Sequence, residues 1–172
     1  MGAGGSKAGR QFAVARCDRL FVILVSPEMC RDEVASVKVA AHSAGRHVDV
    51  YTSAYIVCRP SRKEAEEYDH HFSHTLADWP ATDNVMRLLG VNCQSFSPKH
   101  YATFRNRFVG GHGNYPIIGD PDSVAEEIRR VRDAGVRGLC LSFVNFAEEF
   151  AYFRAEVLPR LVAMGVRRPS IG

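Results

Sequence analysis

Short apolar runs alternate with helix-periodic segments along this chain. Leu20-Phe21-Val22-Ile23-Leu24-Val25 is unbroken, residues 48–58 are rich in Val, Tyr, Thr and Ile, and Gly138-Leu139-Cys140-Leu141-Ser142-Phe143 is a third run. Continuous apolar stretches of this length predict strands covered on both faces, as in a parallel sheet. Each is followed by helical spacing. Val34, Val37 and Ala41 follow Ser26-Pro27-Glu28, where Ser26 suits an N-cap, Pro27 the first helical position and Gly45 the stop. Ser61 with Glu64 makes a capping box after the second run. Phe146, Phe150, Phe153, Val157 and Leu161 form an apolar stripe after the third. A further helix starts at Asp120-Pro121-Asp122-Ser123, turns Val124, Ile128 and Val131 inward, and closes near Gly135.

The order is βαβα, which predicts parallel strands joined by right-handed crossovers. Two segments stand outside it. The helical pattern over 8–17 has no strand before it. Residues 77–119 carry little strand pattern and read as a long insertion with a short helix over 83–89; a connection this long in a compact domain is usually functional or mobile.

Composition narrows the class. At 172 residues, 46% hydrophobic and 24% charged, the chain has the length of one domain and enough apolar content for a core. Its net charge of +3 comes from arginines scattered among acids, not from the concentrated basic face of a nucleic-acid binder. No apolar run reaches the roughly 20 residues of a membrane helix, and the first residues lack the apolar segment of a secretory signal. Met1-Gly2 with Ser6 fits a myristoylation pattern only superficially. Cys17, Cys30, Cys58, Cys93 and Cys140 are odd in number and include no C-x-x-C pair, which fits reduced cysteines in a cytoplasmic protein.

Three stretches carry candidate chemistry. Gly2-Ala3-Gly4-Gly5-Ser6-Lys7-Ala8-Gly9-Arg10 places small residues before a helix, where free N–H groups and the dipole suit a phosphate. By its residues alone it reads better as a tail with Ser6 as N-cap, since it is neither a dinucleotide fingerprint nor a P-loop. Gly110-Gly111-His112-Gly113-Asn114-Tyr115-Pro116-Ile117-Ile118-Gly119-Asp120 fits either a mobile flap at a ligand pocket or a plain turn-rich connector. His70 and His74 share a helix face, but no third ligand accompanies them, so the cluster reads as structural or solvated and no metal site is expected.

Four stretches together resemble the bacterial-luciferase-like flavin monooxygenases. Ala3-Gly4-Gly5-Ser6-Lys7-Ala8-Gly9-Arg10-Gln11-Phe12-Ala13 resembles the family's A-G-x-S-x-x-G-R-x-F-A segment. Ala44-Gly45-Arg46 with Val57-Cys58-Arg59-Pro60 and Glu64-Ala65 is similar to its next unit. Tyr115-Pro116-Ile117-Ile118-Gly119-Asp120-Pro121-Asp122-Ser123-Val124-Ala125 is similar to Y-P-x-x-G-x-P-x-x-V-A. Ala134-Gly135-Val136, Leu141-Ser142-Phe143 and Val157-Leu158-Pro159-Arg160-Leu161 are similar to its closing strand and helix. The likeness is to the branch of two-component enzymes acting on sulfones, alkanes, nitrogen heterocycles and similar small molecules.

The resemblance implies an α/β fold: the C-terminal half of a (β/α)8 TIM barrel, with 1–172 a single partial domain of barrel units five to eight and an insertion at about 77–114. The first helix would then follow a fifth strand lying outside the chain. Gly4, Gly5 and Ser6, with Lys7 and Arg10, would hold the phosphate of FMN, Ser6 foremost; Arg10 also suits a structural pair. His112 and Tyr115 would lie on the substrate side. The implied activity is that of an oxidoreductase, a monooxygenase oxygenating a small organic substrate with O2 through a flavin peroxide. Reduced FMN would come from a separate flavin reductase, and the protein would be a homo-oligomer. Residues nearest the reacting oxygen would belong to the preceding half of the barrel, so the 172-residue chain alone is expected to be inactive and to aggregate or pair its open edges. A deazaflavin-dependent oxidoreductase of the same superfamily and a non-catalytic half-barrel interaction subunit are the alternative readings.

Overall fold

The computed structural model describes residues 1–3, 7–91 and 98–169, with side chains in these spans except at positions 7 and 98–100. Its spine is β3 (Asp49–Cys58), ten residues whose Val, Tyr, Thr and Ile content suits a pleated surface. All pairings are parallel. β1 (Gly2–Ala3) pairs with β2 (Arg19–Phe21), and β2 pairs with β3 over Asp49 to Tyr51. β4 (Tyr115–Gly119) pairs with Ala54 to Cys58, and β5 (Gly138–Ser142) with Tyr51 to Tyr55. Tyr51 pairs with both Phe21 and Gly138, while Ala54 and Tyr55 pair with both β4 and β5. A residue has only two edges. β2 and β4 therefore lie end to end along one edge of β3, and β5 runs along the other.

Helices cover one face of this sheet. α1 (Lys7–Arg16), α2 (Pro27–Ser43), α6 (Pro121–Asp133) and α7 (Phe146–Ala163) supply the cover. Ser26 caps α2 through Met29 N, Ser61 caps α3 (Arg62–His70) through Glu64 N, and Asp120 caps α6 through Ser123 N. Gly45 ends α2 with φ +67°, a conformation glycine adopts without strain. One core joins Leu20, Val22, Val48 and Val50 to Val34, Val37, Ala41 and Val131. A second joins Ala54, Ile56 and Ile117 to Val124, Ile128, Phe153 and Val157. Among the described residues the opposite face is covered where α3, the π-helical turn His71–Thr75 and the end of α5 (Pro98–Gly111) pack around Tyr55 and Val57. Nearer the start of the strands Tyr51 and Ser53 are half-buried, and Cys140 and Ser142 are exposed.

Four features differ from the sequence expectation. A strand does precede α1, because Gly2 and Ala3 pair with β2; two residues are too few to show a period. β2 stops at Phe21, since from Ala54 onward its place on the edge of β3 belongs to β4. The stretch 77–119 contains α4 (Trp79–Leu88), which starts four residues before the expected short helix, then α5 (Pro98–Gly111) and β4. The stripe of the last helix narrows to Phe153, Val157 and Leu161, while Phe146 and Phe150 stack on each other at 59% and 38% exposure.

Among the described cysteines Cys30 and Cys58 are buried, and burial pushes their thiols up to about 11 and about 12; neighbouring Glu33 and Asp120 add to the shifts. Cys140 is exposed and Cys93 lies outside the described residues. A thiol reagent applied to the folded protein at neutral pH is therefore expected to modify Cys140 well before Cys30 or Cys58. Peptide mass mapping checks this, and early modification of Cys58 would contradict the packing described.

Candidate functional site at the C-terminal rim of the sheet

All strands run in one direction, and α/β sheets and barrels bind ligands beyond the C-terminal ends of their strands. Residues 59–61 and 143–145 lead from the ends of β3 and β5 into helices, while 22–26 leave β2 opposite Tyr51, well before β3 ends at Cys58. A buried ion pair ties two of these connections together. Glu149 of α7, 7% exposed, accepts from Arg59 Nη2 at 2.5 Å and from the backbone N–H groups of Val144 and Asn145 at 2.9 and 3.1 Å. The Arg59 guanidinium lies 3.9 Å from the Tyr68 ring centre. The end of β3 and the loop after β5 are thus locked to α3 and α7.

The second assembly lies where the outgoing end of β2 meets the incoming start of β4. Val22 is the last residue of that segment held to β3: its N–H donates to Tyr51 O, and its carbonyl accepts from Thr52 Oγ1 at 2.8 Å. One residue further along β3, the Ser53 hydroxyl donates to Asn114 Oδ1 at 2.5 Å. Ile23 to Val25 diverge into this junction, and α5 closes it. Arg107 of α5 donates from Nη1 to the Val25 carbonyl at 2.9 Å, and its guanidinium lies 5.1 Å from the Tyr115 ring centre. A cavity of about 40 Å³ remains between Ile23, Val25, Phe104, Arg107 and Gly113. Beneath the turn, Tyr55 donates to Asp69 Oδ1 at 3.1 Å; burial pushes the Asp69 carboxyl above its usual range and the Tyr55 phenol strongly upward.

The expected site residues fall in different places. Gly4, Gly5 and Ser6 lie outside the described residues, as does the side chain of Lys7, the first residue of α1. Arg10 is ion-paired to Glu33 of α2 at 3.0 Å and lines a groove between the two helices. His112 is exposed, holds φ +55° and lies 4.5 Å ring to ring from Phe108. Tyr115 shares the helix-covered face with Ala54, its partner in the ladder, and donates its hydroxyl to Glu127 of α6 at 2.7 Å. His112 is therefore the one at the open side of the turn, while the Tyr115 ring backs Arg107. His70 and His74 stack at 4.9 Å, and among the described residues no group of three metal-ligating side chains forms. Sequence reasoning missed Arg107 and Asn114. The available signal was an arginine between Phe104 and Phe108, which are one helical turn apart and predict a buried face.

Comparison with known proteins decides the family. The luciferase-like monooxygenase family matches residues 1–138. The chain belongs to that family. The luciferase-like chain is 26% identical over 167 residues to the FMNH2-dependent dimethylsulfone monooxygenase of Pseudomonas putida, covering 91% of this chain and 44% of the relative. It thus spans less than half the length of the curated relative it matches. Its fold is similar to that of DmoA from Hyphomicrobium sulfonivorans, with TM-score 0.78 and 20% identity over 95% of this chain and 41% of that one. It is also similar to the long-chain alkane monooxygenase LadA, with TM-score 0.76 and 20% identity over 99% of this chain and 42% of that one. The parallel sheet with alternating helices is therefore part of a TIM-barrel architecture of the luciferase-like type. No helix among the described residues is long and apolar enough to cross a membrane.

Proposed function

We propose that this chain forms the C-terminal half of the (β/α)8 domain of a monooxygenase that uses reduced FMN and O2 on a small organic substrate, with the flavin supplied by a separate reductase. The observation that carries the reading is the start of α1. It follows β1, it is ten residues long, and its first turn holds no acidic residue, whereas α2, α3 and α6 carry one there and α7 carries two. The dipole of α1 would favour an anion at its N-terminus, beside Lys7. That arrangement fits the phosphate of FMN, and the FMNH2-dependent relatives support that choice of cofactor.

Bound reduced FMN would supply the activation of oxygen, which no protein side chain provides by itself. The chain's own residues have simpler tasks. The backbone N–H groups of Gly4 and Gly5 and the hydroxyl of Ser6 would orient the phosphate, with Lys7 balancing its charge. Arg10 would hold α1 against α2 through Glu33. His112 would face the substrate from the turn before β4, and the Arg59–Glu149 pair would keep the neighbouring loops in place.

FMN is accordingly expected to bind more tightly than riboflavin, which has the same ring system without phosphate. Ser6→Ala is expected to weaken FMN binding about tenfold, the loss typical of one hydrogen bond to a charged group, and to leave riboflavin binding unchanged. Flavin-fluorescence titration reads both. Equal affinity for the two flavins would overturn the phosphate assignment.

A further inference from the structure

The Arg107 guanidinium is an uncommitted cation at the β2–β4 junction. Two residues earlier on the same helix, Arg105 is held bidentately by Asp83 at 2.5 and 2.8 Å and lies over Trp79. Arg107 has no carboxylate within ion-pairing distance among the described residues. It is half-buried, and among the described residues one of its five N–H donors is used, on the Val25 carbonyl. The Tyr115 ring, itself anchored by Glu127, backs the guanidinium and limits its movement. Arg107 borders a cavity of about 40 Å³ lined otherwise by Ile23, Leu24, Val25, Thr103, Phe104 and Gly113. One water needs roughly 10–15 Å³, so more than one oxygen atom fits. Gly113 keeps that wall low. It has φ +81°, and a Cβ there would lie 2.6 Å from Phe104 Cζ.

We infer that Arg107 is an anion-recognising residue, whose guanidinium receives the oxygens of a phosphate or sulfonate group at the junction of β2 and β4. The geometry suits that chemistry. A planar guanidinium presents paired donors that match two oxygens of a tetrahedral oxyanion, and an anion in this cavity would neutralise a charge that burial otherwise penalises. Burial already lowers the affinity of Arg107 for its proton, in keeping with a charge held away from solvent without a countercharge. Tyr115 is then a positioning residue that acts through Arg107. The inference stands apart from the α1 phosphate site, since it uses other residues on other elements.

The test follows the side-chain Nε–Hε signal of Arg107 in the 15N-labelled 172-residue chain, assigned by its disappearance in Arg107→Gln. Methanesulfonate, inorganic phosphate, FMN and riboflavin are titrated separately. A saturable shift of that signal with methanesulfonate or phosphate is expected, with affinity about tenfold weaker in Arg107→Lys, which keeps the charge and loses the fork. If FMN also moves the signal and riboflavin does not, the oxyanion is the flavin's phosphate. If only the free oxyanions move it, the group belongs to the substrate. An Arg107 signal that no anion moves would overturn the inference, whether or not FMN binds in preference to riboflavin. A shift with methanesulfonate in a chain that does not prefer FMN would sustain it while removing the reading of α1.

Discussion

Glu149→Ala is expected to destabilise the protein by about 3–5 kcal/mol, the usual loss when one partner of a buried ion pair is removed. The carboxylate is 7% exposed and serves three donors: Arg59 and the backbone N–H groups of Val144 and Asn145. Alanine would leave the Arg59 charge without its partner and two backbone donors without acceptors. Each orphaned donor has its own desolvation cost. Glu149→Gln keeps one oxygen acceptor in place, so a clearly smaller loss is expected from it. Urea unfolding of the two variants measures the difference. A loss below about 1 kcal/mol for Glu149→Ala, the range of exposed pairs, would mean that the pair is open to solvent and does not lock the rim.

Gly111→Ala is expected to cost about 3 kcal/mol, the upper part of the usual range for forcing an extra carbon into a packed site. A Cβ at this position would lie 2.6 Å from Tyr55 Cε1 and closer still to Cδ1. The ring cannot turn aside freely. It is 5% exposed, its hydroxyl is held by Asp69, and Phe72 meets it edge-on at 6.5 Å. Either α5 moves or the Asp69 contact breaks. Both displace the turn that carries His112 and Asn114, so the Ser53–Asn114 bond should be lost together with stability. Gly45→Ala is the control: it has φ +67° and nothing within 4 Å, so only backbone strain of roughly 1–2 kcal/mol applies. Chemical denaturation of both variants separates overlap from strain. A Gly111→Ala protein no less stable than Gly45→Ala would show that α5 does not seat on Tyr55 as described.

Much of this architecture was legible along the chain because its signals are local. Ser26, Ser61 and Asp120 announce helix starts by a hydroxyl or carboxylate placed three residues before a free N–H, and each makes that bond. The apolar runs around Leu20, Val50 and Leu139 announce strands covered by helices, and the spacing of Val34, Val37 and Ala41 announces the face that covers them. The rest depended on partners distant in sequence. Gly2 and Ala3 are a strand only because β2 offers an edge. Tyr115 to Gly119 are a strand only because β2 leaves the edge of β3 vacant from Ala54 onward. Glu149 sits within an aromatic stripe and gives no local sign that Arg59, ninety residues away, completes it. Tyr115, read from sequence beside His112, turns instead to Glu127 because pairing with Ala54 sets which face its side chain takes. Capping and periodicity act within a few residues and are written in their order. Edge pairing, facing and the burial of a charge are contests between distant segments, settled only when the chain has closed on itself.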